Sequence, residues 1–107
     1  MASLDDDREL LEQQVSFFLK ECPSLLNDLR RHLDDTPNLQ AGQFAAHRLK
    51  GLVARYGIAP ITQLAQNLEN ACRDGNEEEA KGLFQQLEPL VLNLHRALHT
   101  AAQEHRE

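Results

Sequence analysis

One short stretch of this chain carries residue types that could do chemistry together: Ala46-His47-Arg48-Leu49-Lys50-Gly51. Imidazole is a good nucleophile near neutral pH, because much of it is unprotonated there. Lys50 follows three residues later, one helical turn away, and lysine serves phosphates as a point charge. Gly51 is the odd member, since glycine in a helix interior costs about 1 kcal/mol against alanine. A wheel turning about 100° per residue explains the spacing. The apolar positions Leu39, Gly42, Ala46, Leu49, Val53 and Tyr56 cover an arc of about 100°, a normal core-facing width. His47 falls roughly 130° from the middle of that arc and should meet water. Gly51 and Ala54 lie almost beneath it, Lys50 sits at the border of the apolar stripe, and Phe44 points nearly away from the core. The imidazole thus stands in a clearing with a cation beside it. A compact dianion such as a phosphoryl group fits both features. Taken singly, an exposed histidine or lysine on a helix is ordinary surface; it is the combination with a mid-helix glycine and an exposed phenylalanine that points to phosphoryl acceptance by His47. Lys50 would then steady the group and Gly51 would leave room for the donor.

The rest of the chain reads as the scaffold for that helix. Leu11, Val15, Phe18, Cys22, Leu25, Leu26, Leu29 and Leu33 recur at helical steps from about Leu4 to Leu33. Pro23 interrupts this segment, which predicts two consecutive helices or one bent helix. Asp5, Asp6 and Asp7 suit its N-terminal end through the helix dipole. Asp34-Asp35-Thr36-Pro37-Asn38 is a breaker cluster and predicts a loop. The histidine helix runs from about Leu39 to Tyr56, closed by Gly57, with Ile58 placed to pack back. Pro60 opens a third helix carrying Ile61, Leu64, Ala65, Leu68, Ala71 and Cys72 on one face, and Asp74-Gly75-Asn76 ends it. The last helix runs from about Glu77 to Ala102 with Ala80, Leu83, Phe84, Leu87, Leu90, Val91, Leu94, Leu98 and Ala101 inward, and Pro89 should bend it. Short connections make neighbours antiparallel. The expected fold is all-α: an up-and-down antiparallel four-helix bundle with an additional N-terminal helix or a bent first helix. It forms a single domain over 1–107, with its core in about 10–100.

Composition narrows the function. The chain has 107 residues, a size that buries one core without staples. A formal net charge of -6 with 5% aromatic residues makes a nucleic acid or an anionic membrane a poor partner. Cys22 and Cys72 sit within apolar patterns and read as small core residues. The start is acidic where a signal peptide would be basic, and no apolar run approaches the roughly 20 residues of a membrane span. The expectation is a cytoplasmic, monomeric protein. With no glycine-rich phosphate loop and no strand pattern, no ATP binding, kinase or ATPase activity is expected.

The sequence AHRLKG, followed by YGI and LAQNLENACRDGN, resembles the histidine-containing phosphotransfer (HPt) domain family of two-component phosphorelays. The family pattern of His-x-x-Lys-Gly, a helix-ending Gly and a Leu-Glu pair before a Gly turn corresponds here to His47, Lys50, Gly51, Gly57, Leu68-Glu69 and Gly75. The upstream FFLKECPSLLNDLRRHL is similar to the stretch that precedes the histidine helix in the family. The resemblance implies a phosphorelay intermediate. His47 would be phosphorylated by a receiver-domain aspartate, with transfer to another receiver. Lys50 would neighbour the phosphoryl oxygens. Glu69 would hold the Nδ1 hydrogen so that Nε2 attacks. Phe44, Arg48, Ala54 and Ile58, with one of Phe17 or Phe18, would form the docking face. Receiver domains and a hybrid sensor histidine kinase are the implied partners. No cofactor is expected on this chain, and the Mg²⁺ that transfer needs would sit on the receiver. Leu52 departs from the family, which commonly has Ser, Ala or Thr there; it falls near the core edge, so altered packing rather than lost chemistry is expected. Arg48 separates this chain from sensor kinases, which carry Glu or Asp directly after their histidine.

Two other readings stay open at this level. One is a docking bundle without phosphate chemistry. The other is metal binding by His95 and His99, whose i, i+4 spacing could grip Zn²⁺; the plainer view is two solvated histidines near a helix C-terminus, with His32 and His105 similar in a loop and the tail.

Overall fold

The computed structural model describes residues 3–106, with side chains described from 9 to 103. Four helices follow one another: α1 (Ser3–Arg30), α2 (Leu39–Ala54), α3 (Ala59–Arg73) and α4 (Glu77–Arg106). They form an up-and-down ring in which α1 meets α2 and α4, and α3 meets α2 and α4. The expected all-α bundle is the fold found. Asp5, Asp6, Asp7 and His105 lie outside the residues whose side chains are described.

Of the two expectations for the first segment, the structure has a single first helix with Pro23 inside it. Pro23 has no N–H, so the carbonyl four residues earlier, on Leu19, loses its helical donor. His95 of α4 supplies the replacement: its Nε2 lies 3.2 Å from the Leu19 oxygen. A carbonyl only accepts, so Nε2 carries the hydrogen. The imidazole also packs against Phe18, with ring centroids 6.2 Å apart. His95 is therefore a half-buried cross-link rather than a solvated histidine. Pro89 lies inside α4 in the same way. The carbonyl it orphans belongs to Gln85, an exposed residue, so hydration suffices there.

The turns follow from their sequences. After α1 comes a wide π turn over Arg31–Asp35, with the Thr36 N–H donating to the Arg31 carbonyl at 3.0 Å. His32, Asp34 and Asp35 belong to this turn, so the irregular loop is shorter than the breaker cluster predicted, and His32 is half-buried. Asn38 caps α2 by accepting from the Ala41 N–H at 3.1 Å. Gly57 (φ 66) and Gly75 (φ 76) take the left-handed conformation that ends α2 and α3. At Gly75 the Asn76 N–H reaches back to the Ala71 carbonyl and the Gly75 N–H to that of Cys72, closing α3 in a Schellman motif. Asn76 then accepts from the Glu79 N–H and donates to the Glu79 carboxylate, which starts α4.

The core is Phe18, Leu26, Leu29, Leu33, Leu49, Val53, Leu68, Phe84, Leu87 and Val91, with both cysteines buried and free among them. Burial pushes each thiol up to about 11. Gly42 is buried where α2 approaches α3, and a Cβ there would stand 3.3 Å from the Cys72 sulfur. Leu11, Leu90 and Ala101 lie on the expected stripes yet are exposed. Helices α1 and α4 have 28 and 30 residues, whereas α2 and α3 have 16 and 15. The long pair therefore runs past the short pair, and Leu11 and Ala101, toward its free ends, lose their cover; Leu90 instead lies at the side of a stripe whose Leu87 and Val91 are fully buried. No described helix is long and apolar enough to cross a membrane.

Candidate functional site

On α2 the buried residues are Gly42, Ala45, Ala46, Leu49, Leu52 and Val53. Leu52, expected near the core edge, is inside. Including Ala45 and Leu52 rotates the buried arc by about 30° from the predicted stripe. That turns His47 further outward, and its side chain is 65% exposed. Lys50 falls at the margin toward α3, half-buried. Arg48 falls on the margin toward α1, and Phe44 stands outward of it on the same side.

The α3 flank gathers five polar side chains. His47 Nδ1 lies 3.2 Å from each carboxylate oxygen of Glu69. Lys50 Nζ lies 3.2 Å from Glu69 Oε1 and donates to Gln66 Oε1 at 2.7 Å. Gln66 Nε2 in turn donates to Asn70 Oδ1 at 2.9 Å. A carboxylate accepts only, so the hydrogen of a neutral His47 ring belongs on Nδ1 and the lone pair on Nε2. Burial pushes the Glu69 carboxyl up, but hydrogen bonds from Lys50 and His47 and their charges outweigh it, and the net shift is downward. Glu69 is thus an anion between two donors. Gly51 lies beside this group, and a Cβ there would meet nothing within 4 Å. Its missing side chain fills no internal contact, and the space it leaves opens to solvent.

The α1 flank is different. Leu25, Asp28, His32, Ala41, Phe44, Ala45 and Arg48 line a shallow groove of about 260 Å³. Phe44 is 69% exposed at its edge. Arg48 reaches Glu21 of α1 at 3.4 Å. Phe17, also exposed, lies one turn before Glu21, whereas Phe18 belongs to the core.

His47, Lys50 and Glu69 are therefore brought together, with Gly51 beside them. Phe44 and Arg48 share the groove. Ala54 is exposed on the His47 side, at the last turn of α2. Ile58 is half-buried and packed on the core, beyond the end of α2, so it does not form one patch with Phe44. Sequence reasoning missed Gln66 and Glu21. Gln66 could have been found from its place one turn before Glu69 on the same face of α3. Glu21 stands within the upstream FFLKECPSLL stretch, but nothing there marks its pairing with Arg48, which comes from another helix. Among the described residues no group of three His, Cys, Asp or Glu side chains is placed to hold a metal ion, and His95 of the candidate pair is committed to the Leu19 carbonyl.

A family model described as Hpt domain matches residues 9–103. The chain belongs to the Hpt domain family, the histidine-containing phosphotransfer domains of two-component phosphorelays. A curated relative, histidine-containing phosphotransfer protein 2 of Arabidopsis thaliana, is 26% identical over 86 residues, covering 78% of this chain and 55% of the relative. The chain thus spans about half the length of that protein. No solved structure gives a significant match.

Proposed function

We propose that this chain is a phosphorelay intermediate that accepts a phosphoryl group on His47 from a receiver-domain aspartate and passes it to a second receiver. The observation that carries the reading is the hydrogen bond of His47 Nδ1 to Glu69, with the rest of the ring open to solvent beside Lys50 and Gly51. Nε2 attacks the phosphorus of the aspartyl phosphate. The N–P bond forms as the P–O bond to the aspartate breaks, and the aspartate leaves as a carboxylate. Nδ1 keeps its hydrogen throughout, so the phosphorylated ring is cationic and no proton must depart. The Glu69 anion faces that new charge and stabilises it. The Lys50 ammonium offsets the charge on the phosphoryl oxygens. The same step run backward, from the phosphohistidine to a receiver aspartate, returns the phosphoryl group, so the transfer is reversible. The Mg²⁺ that polarises the phosphoryl group belongs to the receiver. Phe44 and the groove toward α1 dock the receiver, whose phosphoaspartate then enters over Gly51. The partners in this reading are receiver domains and the hybrid sensor kinase that supplies them, in the cytoplasm.

The test mixes the protein with a receiver domain loaded from acetyl phosphate in Mg²⁺. The expected result is an acid-labile, base-stable phosphate on the wild type and none on His47→Gln. Binding of several receivers without label would instead support a docking bundle.

A further inference from the structure

The polar cluster contains a residue that the transfer step does not use. Gln66 makes no hydrogen bond to the imidazole, whose partner is Glu69. It does hold Lys50, at 2.7 Å, the shortest contact the ammonium makes. We propose that Gln66 is the positioning residue for Lys50: a neutral tether that keeps the ammonium beside His47 while its hold on Glu69 loosens and its free N–H meets the phosphoryl group. The inference deepens the phosphorelay reading and rests on it.

The argument runs through donors and acceptors. An ammonium has three N–H groups and no acceptor. One goes to Gln66, one faces Glu69 at 3.2 Å, and one is left for an incoming oxygen. Glu69 is shared, because both its oxygens also lie 3.2 Å from His47 Nδ1. When the ring becomes cationic, that carboxylate is drawn toward it and Lys50 loses part of its hold. A lysine side chain has about 2 kcal/mol of rotamer entropy to regain by swinging into water. Gln66 is what remains to prevent it.

The chemistry of the tether matters. Gln66 offers a carbonyl oxygen, which holds an ammonium without neutralising it. A carboxylate at this position would compete with the phosphoryl dianion for Lys50 and repel it. The amide is also oriented from behind. Its Nε2 donates to Asn70 Oδ1 at 2.9 Å, one turn further along α3, so its oxygen must face Lys50. Asn70 therefore acts on Lys50 at one remove.

The experiment uses phosphoramidate, a small phosphodonor that needs no receiver, and follows the appearance of phosphohistidine by ³¹P NMR in the full chain. Gln66→Leu is expected to slow labelling about tenfold, the low end of the range for a hydrogen bond to a charged group. Lys50→Ala should slow it further. The decisive readout is the double variant: a residue that acts through Lys50 adds nothing once Lys50 is gone, so Gln66→Leu/Lys50→Ala should match Lys50→Ala alone. Should Gln66→Leu fail to fold, Asn70→Ala runs the same cycle, with a smaller loss that also vanishes in the Lys50→Ala background. An unchanged rate in these variants, or losses that multiply with Lys50→Ala, would overturn the tether. A wild type that labels with phosphoramidate but not with a phosphorylated receiver would sink the phosphorelay reading and leave the tether judged by its own cycle.

Discussion

The two flanks of α2 use their polar groups in opposite ways. Toward α3, the polar side chains around the histidine are paired with one another: His47 with Glu69, Lys50 with Glu69 and Gln66, Gln66 with Asn70. Toward α1 there is one long contact, Arg48 to Glu21, beside an open groove and a phenylalanine with no cover. One helix thus presents a preorganised polar cluster on one side and unsatisfied apolar surface on the other. Fixed dipoles suit a site where charge develops, because they cost no reorganisation when the reaction occurs. Uncovered apolar surface suits recognition, because its burial is released only when a partner arrives. The division teaches that rate and affinity should be separable on this molecule by which side of α2 is altered.

Four changes put that separation at risk, from the largest effect to the smallest. Glu69→Ala removes the acceptor for both His47 and Lys50. Hydrogen bonds to charged groups are worth about 1.5–3 kcal/mol, so the transfer rate should drop roughly ten- to hundredfold. Receiver affinity, read by calorimetry, should hardly change; an equal loss in both would abolish the distinction between flanks. Glu69 also makes a pH prediction. Its folded-state pKa is lowered, so its contribution to stability is present above the ordinary carboxylate range and is lost as pH falls through the folded value. In urea melts, wild type should exceed Glu69→Gln near neutral pH, and the gap should close in acid.

Phe44→Ala should weaken receiver binding about tenfold, as for an exposed aromatic anchor, and leave phosphoramidate labelling of His47 at the wild-type rate. A slowed label would mean that the α1 flank reaches into the chemistry. Gly51 and Gly82 form a matched pair, both in helices with open space where a Cβ would go. Alanine at either should stabilise the fold by about 1 kcal/mol, a few degrees in melting temperature. Gly51→Gln should also slow transfer from a receiver, whereas Gly82→Gln should not. If Gly51→Gln transferred at full rate, the clearing would have no role in approach. Arg48→Ala removes only an exposed pair and should cost less than about 1 kcal/mol in stability or binding.

Much of this arrangement was legible in the residues themselves. A wheel drawn on α2 placed His47 outside, Lys50 at the margin and Phe44 opposite the core, because helical pitch is local. Gly57, Gly75 and Asn76 announced their turns, because turn chemistry is local too. What could not be read depended on other helices. Leu11 fits its stripe but is exposed, since only the lengths of α2 and α3 decide how far cover extends. The π turn after Arg30 absorbed Asp34 and Asp35, two residues that composition alone assigned to a loop. Gln66 gains its role from Lys50, a residue on another helix. Pro23 read as a break, and nothing nearby in the chain says that a histidine 72 positions later keeps the helix whole.

That last pairing constrains how the sequence can change over time. As long as position 23 is proline, loss of the imidazole at His95 strands the Leu19 carbonyl in a half-covered site. Once position 23 is alanine, the helix donates its own N–H and the imidazole becomes dispensable. The two substitutions are therefore ordered: descent can pass through Pro23→Ala and then lose His95, whereas the reverse route crosses a weakened intermediate. In lineages of this domain, a histidine at position 95 should be the companion of a proline at position 23 and should drift where that proline has gone.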